Sequence, residues 1–280
     1  MLAKLFKVSR PISWINTAFP FAAGYLVLGG QVDWIFTLGT LFFLIPYNLL
    51  MYGVNDVFDY ESDIKNPRKG SIEGAVEAKA FHPVILRACL ITCLPFLLAL
   101  AFFMPTPAYA VLLGVVFFAV AYSIKGLRFK EIPILDSITS SLHFVGPLLV
   151  AIAVLTPAIN VWPYVIAFFL WGIASHAFGA VQDIIPDRKG KLHSIATVFG
   201  ARATVWISLA CYVGASVIVA TQGQWTVAVA GLAYVINIAP YMFVTDKASA
   251  KTNTAWRRFI WINYAVGAVV TITLITAYLS

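Results

Sequence analysis

Apolar runs close to the length of a membrane crossing recur along this whole chain, and no other feature constrains its fold as strongly. Nine are legible, at about 12–30, 34–54, 84–104, 107–124, 137–156, 161–181, 203–221, 225–244 and 258–279. A helix needs about 20 predominantly apolar residues to cross a bilayer. With 61% of its 280 residues hydrophobic and 11% charged, the chain carries more apolar surface than a soluble domain can hide. The first run holds Pro11, Asn16 and Pro20 and lacks a small-residue cleavage site, so it reads as one span among many and not as a signal peptide. The expected fold is all-α: a polytopic membrane protein with nine transmembrane helices in a single bundle around a central cavity, residues 1–280 forming one domain.

Charge placement gives an orientation. With the N-terminus cytoplasmic, the inner segments are 1–11, 55–83, 125–136, 182–202 and 245–257. All 19 Lys and Arg fall in these segments or, for Arg87 and Arg258, at the inner ends of the adjoining spans. The outer connections are short and carry only Asp33. That is the positive-inside pattern. The net charge of +7 therefore reads as topology and contact with anionic lipid in the bilayer, not as nucleic-acid binding. Cys89, Cys93 and Cys211 lie within spans without metal-type spacing and read as packing.

Two inner segments carry acidic residues at helical spacing. Asp56, Asp59 and Asp63, preceded by Asn55, share one helix face at the end of an apolar run. Asp183 and Asp187, preceded by Gln182, are one turn apart at the end of another. Basic residues and glycine follow in both, and four expected spans lie between, which brings both sets to the cytoplasmic face. Carboxylates at the edge of the hydrocarbon are costly and point to function. Mg²⁺ takes oxygen ligands, keeps several waters, and bridges one or two carboxylates to phosphate oxygens. Two such clusters facing a diphosphate allow more than one bridge, and the metal neutralises the leaving group so that an allylic C–O bond can ionise. Asn55 and Gln182 can orient a carboxylate or a metal-bound water, and Lys and Arg beyond the aspartates can contact phosphate. The cation left behind needs a dry chamber with aromatic walls. Tyr47, Tyr52, Phe58, Tyr60, Tyr122 and Trp171 are placed near the inner halves of spans.

Asn55-Asp56-x-x-Asp59-x-x-x-Asp63, the Asp183-x-x-x-Asp187 partner, the nine spans and the inner placement of both motifs resemble the UbiA superfamily of intramembrane prenyltransferases over essentially the whole chain. Within it, the strings Ser9–Thr17, Tyr52–Asp63, Asn66–Gly70 and Ser194–Gly200 are similar to those of actinobacterial lycopene elongases of carotenoid biosynthesis. The resemblance implies Mg²⁺-dependent transfer of a five-carbon unit from dimethylallyl diphosphate to the ends of lycopene, giving acyclic fifty-carbon carotenoids of the flavuxanthin type. It implies Asp56, Asp59, Asp63, Asp183 and Asp187 as catalytic, metal-binding residues. Asn55, Arg68, Lys125, Arg128, Gln182 and Lys189 would serve the diphosphate. Other carotenoid enzymes are plausible neighbours in the membrane. His193 stands where quinone-pathway relatives carry a lysine, a departure that weakens transfer of their aromatic-acceptor chemistry.

Simpler readings stand beside these. The aspartates can be loop charges paired with Arg68 or Lys189. Lys125, Arg128 and Lys130 sit where span-flanking basic residues are the default, and Lys4, Lys7 and Arg10 read as orientation signals. His143 and His176, inside spans, read first as hydrogen-bonded structural residues. The same fold with an aromatic or tetrapyrrole acceptor is the alternative function. A cation-coupled transporter is disfavoured, since both acidic sets lie at one face and no matched Gly/Pro break interrupts a pair of spans.

Overall fold

The computed structural model describes residues 1–64 and 76–279. Every regular element among them is helical. Six helical stretches are long and apolar enough to cross a membrane: Trp34–Phe58, Lys79–Phe103, Leu135–Leu155, Trp162–Val181, Ile195–Thr221 and Asp246–Thr276. The protein is thus a multi-pass membrane protein. The remaining three expected spans are shorter than the ~20 residues of a straight crossing. They are Ile15–Val27 with 13 residues, Thr106–Ala121 with 16, and Trp225–Ile238 with 14 before a 3₁₀ turn at Ala239–Tyr241. The expected spans include turn residues around Gly29, Ser123 and Pro240 that are not α-helical.

The chain divides into two compact units, Met1–Phe129 with His143–Pro157, and Lys130–Leu142 with Ala158–Ser280. In the first, Phe21, Tyr25, Phe42, Phe43, Tyr47, Leu100 and Leu112 form a fully buried aromatic and aliphatic core. Tyr47, expected near a substrate chamber, is instead core, edge-on to Phe43. The helices Trp34–Leu44 and Pro46–Phe58 are parted at Ile45 because Pro46 has no N–H to continue the ladder. The carbonyls there are recovered by side chains. Asn48 Nδ2 donates to the Phe43 and Leu44 carbonyls (2.9 and 3.1 Å) and to Thr17 Oγ1 (2.6 Å), while the Thr17 hydroxyl donates to Phe43 O at 2.7 Å. Both side chains are fully buried, as a break in a lipid-embedded helix requires. The helix beyond the break ends on Asp56 and Asp59. Cys89 and Cys93 donate to the Leu49 and Pro46 carbonyls, consistent with a packing role.

In the second unit, Phe178, Val181, Ile184, Tyr212, Tyr234 and Ile238 are buried together. Tyr212 stacks on Tyr234, and Trp171 stacks on Phe259. The Ile195–Thr221 helix opens on a capping box at Ser194 and Thr197 and breaks at Gly200, which sits at φ +80°. Only 6% of the apolar window in Asp246–Thr276 is buried, and Trp261 and Ile272 project outward. That exposure suits a helix wrapped by lipid rather than by protein.

Candidate active site

The first acidic set emerges where Pro46–Phe58 runs out. Asp59 is its C-cap, and the helical path continues as the Asp59 N–H donates to Asn55 O and the Asp63 N–H to Asp59 O, both at 2.9 Å. Asp56, Asp59 and Asp63 are only 4%, 4% and 8% exposed. Buried carboxylates demand charged or hydrogen-bonding partners, and Asp56 and Asp59 draw theirs from the same helix and from distant stretches of chain. Arg10 meets Asp56 Oδ1 at 2.6 Å, with its guanidinium 4.2 Å from the Tyr52 ring centroid. Asn55 Nδ2 donates to Asp59 Oδ2 at 2.6 Å and to Ser123 Oγ at 3.0 Å. Arg128 reaches Asp59 Oδ1 at 3.7 Å and donates to the Phe58 carbonyl at 3.3 Å. Its backbone, at φ +43° just after Gly126 at φ +99°, is in the left-handed region that a non-glycine residue occupies at a cost. Lys125 is exposed. Arg68 lies outside the described residues.

Arg10, read from sequence as an orientation signal, is therefore a partner of Asp56. The two are 46 residues apart, and nothing local to Ser9-Arg10-Pro11 points to the pairing. Ser123 was missed for the same reason.

The second set belongs to the other unit. Asp183 precedes the short helix Ile184–Lys189, and the Asp187 N–H donates to Asp183 O at 2.9 Å. Gln182 is pinned: its Oε1 accepts from Asn253 at 2.6 Å and its Nε2 donates to Gly179 O at 2.9 Å. Lys189 is exposed. Arg188 clamps the segment. Its Nε and Nη2 donate to Thr197 O at 3.0 and 2.7 Å, and Nη1 meets Asp246 Oδ2 at 2.6 Å. Asp246 Oδ1 in turn accepts the Ala201 N–H at 2.7 Å, restarting the helix after Gly200. A concavity of about 380 Å³ beside the clamp is lined by Arg188, Lys191, Leu192, His193 and Thr197. A Cβ at Gly200 would stand 3.1 Å from Asp246 Oδ1 at an unfavourable φ. Gly200→Ala should cost about 1–3 kcal/mol, because φ +80° with extended ψ is a backbone region essentially reserved for glycine, and loosen Arg188, read as a lower melting temperature in detergent together with reduced turnover.

The donors in the first set are carboxylate and amide oxygens, buried and at helical spacing, which is the chemistry of a hard divalent cation. Among the described residues no three His, Cys, Asp or Glu converge as a ready-made cage. Such a donor set fits Mg²⁺ arriving with phosphate, which needs only one or two carboxylates.

A many-helix membrane protein with a buried acidic helix end has counterparts among solved structures. A UbiA homologue from Archaeoglobus fulgidus, solved bound to DMAPP and Mg²⁺, matches 94% of this chain and 98% of its own with a TM-score of 0.67 at 18% identity. The UbiA prenyltransferase family profile matches residues 17–263, and the chain belongs to that family; it is a prenyltransferase. The lycopene elongase/hydratase of Corynebacterium glutamicum is 48% identical over 274 residues, 96% of each chain. The C(50) beta-cyclic carotenoids biosynthesis protein LbtBC of Dietzia sp. is 48% identical over 97% of this chain and 64% of that longer protein.

Proposed function

We propose that this protein transfers a dimethylallyl group from dimethylallyl diphosphate to the ends of lycopene in an Mg²⁺-dependent reaction, giving acyclic fifty-carbon carotenoids of the flavuxanthin type. The observation that carries this reading is the 48% identity to the Corynebacterium lycopene elongase/hydratase across nearly the full length of both chains.

Asp56, Asp59 and Asp63 in the first unit, and Asp183 and Asp187 in the second, would hold the metal and through it the diphosphate; the metal would supply charge neutralisation of the leaving group. The chain's residues prepare that chemistry. Asn55 and Ser123 fix Asp59, Arg10 fixes Asp56, and Arg128 carries positive charge to the same helix end. Arg68, Lys125, Gln182 and Lys189 assist the diphosphate directly or by positioning. Residues 1–280 act as one catalytic domain of nine spans, N-terminus and active site cytoplasmic, as the basic inner segments favour. The soluble diphosphate then enters from the cytosol and the hydrocarbon acceptor from the lipid, where other carotenoid enzymes can deliver it.

Donor and metal are tested together. Membranes given lycopene should elongate it with dimethylallyl diphosphate at least tenfold faster than with geranyl diphosphate, and EDTA should abolish both. Preference for the longer donor, or turnover that survives EDTA, would overturn the donor or metal assignment.

A further inference from the structure

The second acidic set is gripped from both sides by one short strap in the same unit: the 3₁₀ helix Asp246–Thr252 and Asn253, which opens the last helix. Asn253 Nδ2 donates to Gln182 Oε1 at 2.6 Å, immediately before Asp183. Arg188 Nη1 donates to Asp246 Oδ2 at 2.6 Å, immediately after Asp187. The partners are 71 and 58 residues apart, so neither contact follows from chain connectivity.

The acidic segment needs such support. The helix Ile184–Lys189 has 6 residues, well short of the ~12–15 at which an isolated helix begins to hold itself together. Its place is therefore set by whatever fixes its ends. At the leading end, Gln182 is 6% exposed, and both halves of its amide are engaged, Oε1 by Asn253 and Nε2 by Gly179 O at 2.9 Å. Gly179 is in turn covered by Trp256, one turn on from Asn253; a Cβ there would stand 2.9 Å from the indole. At the trailing end, the two oxygens of Asp246 serve two partners, Arg188 and the Ala201 N–H, while Arg188 also donates twice to Thr197 O. An ion pair that is 44% and 37% exposed is worth little by itself; the additional bonds turn it into a clamp. The strap is itself anchored. Ser249 and Thr252 are fully buried, and the Thr252 hydroxyl donates to Ser249 O at 2.7 Å.

We propose that Asp246 and Asn253 are positioning residues of the diphosphate site, fixing the segment that carries Asp183 and Asp187. This rests on the reading that those two carboxylates hold Mg²⁺, and deepens it. Asn253 acts through Gln182 and Asp246 through Arg188; neither takes part in a bond made or broken. Losing either frees one end of a helix too short to keep its own geometry, so the carboxylates meet Mg²⁺ and diphosphate in a spread of orientations. The quantity this lowers first is affinity for the metal–diphosphate pair. Groups one step behind metal ligands are typically worth about 10–100-fold in metal affinity or activity.

The test uses the full-length protein in detergent, as wild type, Asp246→Asn, Asn253→Leu and Tyr234→Phe. The last removes the hydrogen bond from the Tyr234 hydroxyl to Asn263 Oδ1 (2.8 Å), a contact of the same unit outside the strap. Three quantities are read: calorimetric affinity for inorganic diphosphate in the presence of Mg²⁺, KM for dimethylallyl diphosphate with lycopene as acceptor, and melting temperature without added ions. Asp246→Asn and Asn253→Leu should each weaken diphosphate binding and raise KM by about 10–100-fold. Tyr234→Phe should lower the melting temperature and leave both affinities at the wild-type value. Wild-type diphosphate affinity in either folded strap variant removes that residue from the assignment, and in both it overturns the proposal. So does an equal loss of affinity in Tyr234→Phe, because binding would then follow stability alone. Asp246→Asn, which keeps size and shape, decides the case if Asn253→Leu does not fold. A wild type that binds no diphosphate with Mg²⁺ overturns the metal reading and this inference with it, whereas a binding wild type with an unmoved Asp246→Asn removes this inference alone.

Discussion

Asp59→Asn should lower product formation on the order of 10³-fold and leave the protein folded. The substitution keeps size and retains an oxygen able to accept from Asn55, so the hydrogen bond that organises the helix end at 2.6 Å survives in shape. What it removes is negative charge 3.7 Å from Arg128 and at the position proposed to hold the metal. Metal assistance is worth several kcal/mol, and each 1.36 kcal/mol is a factor of ten in rate. Turnover in membranes and the melting temperature in detergent separate the two effects. Activity within tenfold of wild type would remove Asp59 from the metal–diphosphate chemistry.

Arg10→Met should destabilise the protein by about 3–5 kcal/mol, the cost of removing one partner of a buried ion pair. Asp56 is 2% exposed at its side chain and Arg10 15%, so water cannot replace the guanidinium. The Tyr52 ring beneath Arg10 is lost as a partner as well. The loss is a matter of charge, so Mg²⁺ together with inorganic diphosphate should raise the variant's melting temperature more than the wild type's. A variant as stable as wild type in the absence of added ions would show that Asp56 is neutralised by another group.

The parts of this molecule that were legible in sequence are those written in local pattern. Apolar runs gave helices, and Asp56, Asp59 and Asp63 do share a buried helix end because their spacing of three and four fixes it. What sequence hid is partnership at long range. Arg10 looked like one more cytoplasmic cation, since its carboxylate lies 46 residues on. Asp246, 45 residues beyond the Ala201 N–H it caps, looked like an ordinary loop acid. Asp136 stood at the edge of an inner segment with nothing to mark that the Ile195 N–H, 59 residues away, completes its coordination. The breaks at Ile45 and Gly200 were invisible for a related reason: hydropathy averages across them, and the side chains that make them tolerable, Thr17 and Asp246, come from other helices and loops.

The central claim is prenyl transfer onto lycopene, and mass analysis of pigments from membranes containing this protein, lycopene, dimethylallyl diphosphate and Mg²⁺ tests it most directly. The account predicts pigments heavier by one and then two five-carbon units, absent from parallel samples of Asp59→Asn or with EDTA. Unaltered lycopene, in membranes shown to hold folded protein and both substrates, would contradict it and direct attention to aromatic and tetrapyrrole acceptors.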